Sequence, residues 1–291
     1  MKFLVLPALV LCAACGAGDK NPPSAETDLS QLRIVALSPH LAELTFAAGA
    51  GSQLVGVSSY SNFPPEVLQL PIVGDAFRID QEQLALLQAD LLLAWDSGTP
   101  SHVLDSLRRN GYRVALIETR SLADIGRAVE HIGALTGREA SARAAAKAFD
   151  AKLLKLAVRG RAAEPIRVFY QVSLRPLYTV NGQHYISELI ELCGGQNVFA
   201  ELNELAPMIS EEAVLSRDPE VILSAATTGA ATDRDWGYWQ DLSANRYANH
   251  FLIPADAVAR ATPRVYGAGV AICDALQRGR EQRAARRQKA S

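Results

Sequence analysis

The chain has 291 residues, 49% of them hydrophobic and 21% charged, which is enough apolar material for one large domain or two lobes of ordinary size. Its formal charge of -2 leaves no basic footprint for nucleic acid and no field that would favour an acidic polymer.

The first segment, "MKFLVLPALVLCAACGAGDK", reads as an export signal. Lys2 and the amino terminus are positive, a short apolar run follows, and small residues precede a cysteine. The run is too short and too close to the terminus for a spanning helix. "LCAAC" resembles a bacterial lipobox, with residues 1–14 removed and Cys15 lipidated. Cys12 stands where such boxes usually carry Leu, and ordinary secretion with cleavage near Ala14 is the other reading. Gly16 follows the cysteine, so the aspartate that retains lipoproteins in the inner membrane is absent. Residues 15–31 are polar, with Pro, Gly and Ser, and read as a tether.

From residue 32 to 137, short apolar runs alternate with amphipathic ones. "RIVAL" is a strand; Ser38 and Pro39 open a helix that Gly49 and Gly51 stop. "LVGVS" is a strand, "DQEQLALLQA" a helix, "DLLLAW" a strand, "SHVLDSLRRNG" a helix, "RVALIE" a strand and "SLADIGRAVEHIGALTG" a helix. This order predicts parallel sheets covered on both faces. Residues 138–163, Ala-, Lys- and Arg-rich without an internal proline, predict one connecting helix roughly 39 Å long. The pattern then restarts over 164–277 with "IRVFYQV", "YISELIELCGG", "SEEAVLSRD" and "EVILSA". The expected fold class is therefore α/β: two Rossmann-like lobes with parallel sheets joined by one long helix. Six basic residues and one acid mark 278–291 as a basic tail, read first as a solvated, frayed helix end and second as a contact for anionic lipid.

Two segments repeat. "IDQEQLALLQADLLLAW" and "ISEEAVLSRDPEVILSA" share an Ile, a glutamate three positions on, a helix, an acid eight positions after the glutamate, and a strand. Glu82 matches Glu212 and Asp90 matches Glu220. Each glutamate falls near a helix start, where the dipole favours an acid.

Catalytic signatures are lacking: no G-x-S-x-G elbow, P-loop, H-E-x-x-H or strand-borne G-x-G-x-x-G. The expectation is no enzyme, no catalytic residue and no resident metal or cofactor. His40 and Glu43 sit three apart and could begin a metal site, but nothing nearby completes one. His40 also lies just after the first strand, where open α/β sheets take ligands. What remains is aromatic. Tyr60, Phe77, Trp95 and Tyr178 fall at or beyond strand ends, which suits a cleft for a large, flat or apolar-faced ligand. Trp236, Tyr238 and Trp239 are read either as part of that cleft or as packing under their own loop. Cys193 and Cys273, in an exported chain, favour a disulfide closing a loop of about 80 residues, against two buried thiols.

"RIVALSPHLAELTFAAGA", "LVGVSSYSNFPPE", "QADLLLAW", "ELCGGQNVF" and "ARATPR" together resemble the cobalamin-binding branch of the periplasmic binding proteins that serve ABC importers, the class III group built on a helical backbone. The resemblance spans roughly residues 32 to 277. It implies a ligand cleft between the lobes, with Tyr60 and Trp95 as contacts. On the second lobe it implies a contacting segment Asp256, Ala257, Val258, Ala259 and Arg260. It places Cys193 and Cys273 on a disulfide, and Glu82 and Glu212 on the lobe-tip acids that dock onto permease arginines. Cobalamin is then a transported ligand rather than a cofactor. The partners are an ABC permease with its ATPase subunits and a membrane reached only through a lipid anchor. The expected protein is a periplasmic monomer that binds no nucleic acid. Two cleft tryptophans of the family are replaced, by Ala76 beside Phe77 and by Ala206, which leaves a roomier pocket. Haem or a ferric siderophore is the alternative cargo. No tyrosine stands near Asp75, as haem-binding relatives have, and Arg260 alone is thin for a siderophore.

Overall fold

The computed structural model describes residues 28–75, 77–161, 163–226 and 236–290. The expected export signal, Cys15, the expected tether as far as residue 27, and Ala76 lie outside the described residues. In the front lobe, β1 (Ile34–Ala36), β2 (Leu54–Val57), β3 (Leu91–Trp95) and β4 (Val114–Ile117) form a parallel sheet in the order β2-β1-β3-β4. The strand residues Ile34, Val35, Ala36, Leu91, Leu92 and Leu93 are all fully buried, because helices cover both faces. Those helices are α1 (Pro39–Ala47), α2 (Gln81–Leu86), α3 (Ser101–Arg109) and α4 (Leu122–Thr136).

The long connector follows as α5 (Glu139–Gly160), shorter at both ends than the expected 138–163. The back lobe contains β5 (Ile166–Gln171), a small antiparallel hairpin of β6 (Ser173–Leu174) and β7 (Leu177–Tyr178), α6 (Tyr185–Leu192), β8 (Gly195–Asn197), α7 (Glu211–Arg217) and β9 (Val221–Ala226). It closes with α8 (Ser243–Tyr247), β10 (His250–Pro254), α9 (Ala255–Val258) and α10 (Val265–Ala290). Its parallel sheet runs β10-β9-β5-β8. Read from β8, this is the same order as the front sheet: second strand, first, third, fourth. Each lobe therefore reverses strand order between its first and third strands, and that switch point is where open α/β sheets leave a crevice.

The repeat seen in the sequence is a repeat in space. Asp80 caps α2 through a bond from Gln83 N (2.9 Å), and Ser210 caps α7 through a bond from Ala213 N (3.2 Å). Glu82 and Glu212 are the second helical residue of each. Each helix is followed by a left-handed residue, Gln88 (φ 45°) just past the cap of α2 and Asp218 (φ 44°) as the cap of α7. Asp90 then accepts a bond from Arg33 N (2.8 Å), and Glu220 one from Arg167 N (3.1 Å), so the matched acids stitch matched strands.

One continuous apolar core links the lobes. It runs from Ile34 and Leu93 in front, through Ala142, Phe149 and Leu156 of α5, to Ile166, Leu189 and Leu276 behind. α5 ends against α6 so tightly that a Cβ on Gly160 would lie 2.1 Å from the Leu192 carbonyl oxygen. Cys193 and Cys273 form a disulfide that ties the end of α6 to α10. The basic tail is not frayed: α10 continues to Ala290. Arg280 donates to the carbonyls of Cys193 and Gly194 (both 2.9 Å), and the buried Arg283 reaches Glu220 (3.0 Å) and the Pro165 carbonyl (3.1 Å). Two basic residues of the tail are thus structural, and only residues 284–289 are uniformly exposed.

Closing a loop 80 residues apart confers about 4 kcal/mol in the chain-entropy model. Replacing Cys193 and Cys273 together by Ala is expected to lower the unfolding free energy by roughly that amount, measured by denaturant titration.

Candidate functional site

The candidate site is the region at the C-terminal ends of the two sheets, where each lobe has its switch point. Tyr60 follows β2, on a short loop pinned by Ser59 N to the Gly74 carbonyl (2.7 Å) and Ser61 N to the Ser58 carbonyl (3.3 Å). Its backbone is left-handed (φ 67°), strained for a residue with a Cβ, and its ring is 83% exposed. A core-packing role for this ring is therefore excluded. Phe77 is also exposed, at 70%, beside a turn in which Asp75 accepts from the amides of Phe77 and Arg78 (both 2.8 Å). Those bonds hold the Asp75 carboxyl below the usual carboxylate range.

His40 and Trp95 sit at the front switch point, after β1 and at the end of β3. Their rings meet edge to face, 5.1 Å between centroids. Ser38, expected to cap α1, bonds His40 Nδ1 instead (2.8 Å), and α1 has no side-chain cap. His40 is buried, and burial pushes its pKa down to about 3, so the ring is neutral. Its Nε2 and the Nε1 of Trp95 have no partner. His40 therefore backs Trp95 rather than lining open surface. The pair leaves two buried polar ring nitrogens, each costing about 1–3 kcal/mol when unsatisfied.

In the back lobe, Tyr178 is half-buried on β7 and pairs across an antiparallel bridge with Met208, which is 65% exposed. Met208 and the exposed Val172, just past β5, are apolar neighbours that strand-end reasoning overlooked. "APMI" carries no motif, and only the bridge brings it beside Tyr178. Ala206 is exposed next to them. Trp236 is buried, donates to Gln171 Oε1 (2.6 Å) and packs on Phe169, so it belongs to the back-lobe core; Tyr238 is exposed.

The segment 256–260 divides by face. Asp256 and Ala259 are exposed and Ala257 is half-buried. Val258 is fully buried, its carbonyl accepting from Tyr185 Oη (2.7 Å), and it presents no surface to a ligand. Arg260 is mostly occupied. It reaches Glu43 (2.9 Å), Asn62 Oδ1 (2.5 Å) and the carbonyl of Tyr60 (2.9 Å). Thus Glu43 is not a metal ligand in waiting, and among the described residues no cluster suited to a metal ion exists. It is the acceptor for Arg260, Arg264 (2.9 Å) and Thr262 (2.9 Å), all from the other lobe. Asn62 also reaches Asp256 (3.5 Å), and Arg264 stacks on the Phe63 ring at 4.0 Å. A second seam also crosses between the lobes. Asp96 pairs with Arg120 (3.2 Å), whose carbonyl accepts from Tyr185 N (3.0 Å), and Glu188 accepts from Leu122 N (3.0 Å) at the start of α4. The first seam brings the Tyr60 loop into direct contact with the 256–260 segment of the other lobe.

A family profile described as periplasmic binding protein matches residues 34–249. The chain is 35% identical over 251 residues to the vitamin B12-binding protein of Vibrio cholerae, covering 86% of this chain and 91% of that one. The crystal structure of the periplasmic vitamin B12-binding protein BtuF of Vibrio cholerae superposes with a TM-score of 0.77 at 34% identity, covering 85% of this chain and 97% of the other. The periplasmic haem-binding protein HutB of Vibrio cholerae, at 22% identity, TM-score 0.74 and coverage of 85% and 99%, shares the fold. The chain belongs to the periplasmic binding protein family, the non-enzymatic, solute-binding components of transport, and carries its two-lobed architecture.

Proposed function

We propose that the protein captures cobalamin or a related corrinoid between its lobes and delivers it to an ABC permease. The observation that carries this reading is the Tyr60 loop. A strained backbone holds Tyr60 83% exposed, beside the 256–260 segment of the other lobe. Such a conformation costs about 1–3 kcal/mol and is kept where it serves a site. Trp95 at the switch point, Phe77 on the front rim, and Tyr178 with Met208 on the back rim extend the apolar surface a corrin ring would meet. The relatives named for vitamin B12 supply the ligand class. The ligand is cargo, so no step of covalent chemistry is assigned to any residue.

Purified protein is expected to retain corrinoid colour after desalting when incubated with cobalamin or cobinamide, and none after haem or a ferric siderophore. Retention of haem in place of corrinoid overturns the reading in favour of the alternative cargo. A Tyr60→Ala variant should bind cobalamin about tenfold more weakly by calorimetry, the weight of one lost aromatic contact. Unchanged affinity removes Tyr60 from the site.

Glu82 and Glu212 are exposed at equivalent second positions of α2 and α7, one per lobe. The Glu212 carboxyl is held below its usual range by backbone and Ser210 bonds at the helix start, so it stays charged. Two such acids would meet matched arginines on a two-fold permease, setting register more than affinity. Reversing both, Glu82→Lys with Glu212→Lys, should abolish co-purification with the permease complex while ligand-induced colour persists; intact co-purification would discard the docking assignment.

The export signal and Cys15 point to a lipid-anchored periplasmic protein. No helix among the described residues is long and apolar enough to cross a membrane. Labelled palmitate should enter the wild-type chain and not Cys15→Ser, and equal labelling would refute the anchor.

A further inference from the structure

Arg260 falls on a segment that the family resemblance assigns to ligand contact, yet its donors point elsewhere. One nitrogen bonds Glu43 and Asn62, the other bonds the Tyr60 carbonyl. Its side chain is only 13% exposed, and Glu43 beneath it only 2%. Arg264, also on Glu43, sits over the Phe63 ring, 4.0 Å from its centroid. Three of the four residues from Tyr60 to Phe63 are therefore gripped by two guanidinium groups of the other lobe, and both groups rest on one buried carboxylate. A left-handed Tyr60 would relax toward ordinary backbone without such a grip. The bond to its carbonyl is charge-assisted, the strong kind of hydrogen bond.

We propose that Glu43 and Arg260 are positioning residues: as an ion cluster crossing the lobes they strap the Tyr60 loop in its strained form, so that the aim of the Tyr60 ring depends on the cluster as well as on the bonds within its own loop. The proposal rests on the corrinoid reading for its affinity arm only. It differs from direct ligand contact in a measurable way. If Arg260 acts through Tyr60, the two residues cannot contribute independently.

The test is a double-mutant cycle on full-length protein with cobalamin, together with hydrogen exchange on the ligand-free chain. Arg260→Ala and Tyr60→Ala should each weaken binding about tenfold, and the double variant should be within twofold of either single one. Losses that multiply to about a hundredfold would show that Arg260 touches the ligand itself and would overturn the proposal. Glu43→Gln keeps the shape but removes the charge, and guards against a variant that simply misfolds. It should speed amide exchange at Ser59–Asn62 while exchange in β1 and β3 stays as in the wild type. Arg260→Lys should speed the same amides, because a single ammonium cannot hold Glu43, Asn62 and the Tyr60 carbonyl in the same fork. Unchanged loop exchange in both variants would overturn the strap even if the wild-type protein proved to bind a different cargo.

Discussion

A buried carboxylate holds this molecule in register. Glu43 lies on α1 of the front lobe, almost wholly out of water, and an ion in that position is tolerable only if its charge is met. Arg260, Arg264 and Thr262 meet it, and all three come from the segment between α9 and α10 of the back lobe. The shared apolar core through α5 makes the lobes adhere, but hydrophobic burial is non-directional and leaves their alignment loosely set. Directional bonds to one carboxylate remove that freedom. Losing one partner of such a pair leaves an unpaired buried charge, at about 3–5 kcal/mol.

The proposed ligand surface depends on that alignment. Each lobe carries the same strand order, so each has an equivalent switch point. The front lobe brings its rings on strand ends and the loop after β2. The back lobe brings Tyr178 and Met208 on a hairpin and a bridge. Neither rim is stabilised by burying these rings, so their exposure must be held by backbone bonds around them: Ser59 to Gly74, Asp75 to Phe77, Arg260 to Tyr60. The rigid presentation limits the ordering entropy that a ligand would otherwise have to overcome.

The internal repeat adds a second use of the same symmetry. Cap, exposed acid, left-handed stop and stitching acid recur from Asp80 to Asp90 and from Ser210 to Glu220. The stitching acids maintain the sheets. The exposed acids, Glu82 and Glu212, suit the helix starts they occupy, and the docking role proposed for them would account for their duplication.

Much of this was legible in the residues. Apolar runs of four to six determine fully buried parallel strands, since nothing else conceals "RIVAL" and "DLLLAW" on both faces. Glycine and proline set the helix ends, and the matched acids showed the duplication before any coordinates. Short-range chemistry sufficed for these. Other features needed the third dimension. β8 ("GQN") and β10 ("HFLIP") lie at the two edges of their sheet, where pairing with a neighbour decides the strand and the local pattern does not. Ser38 looked like a cap until His40 offered a better partner. Arg280 and Arg283 read as solvated charge until carbonyls and Glu220 from distant segments surrounded them. The purpose of Glu43 and Arg260, 217 residues apart, could not be read at all. An ion pair is a property of distance in space, and only the packing of two lobes on one helix brings those atoms together.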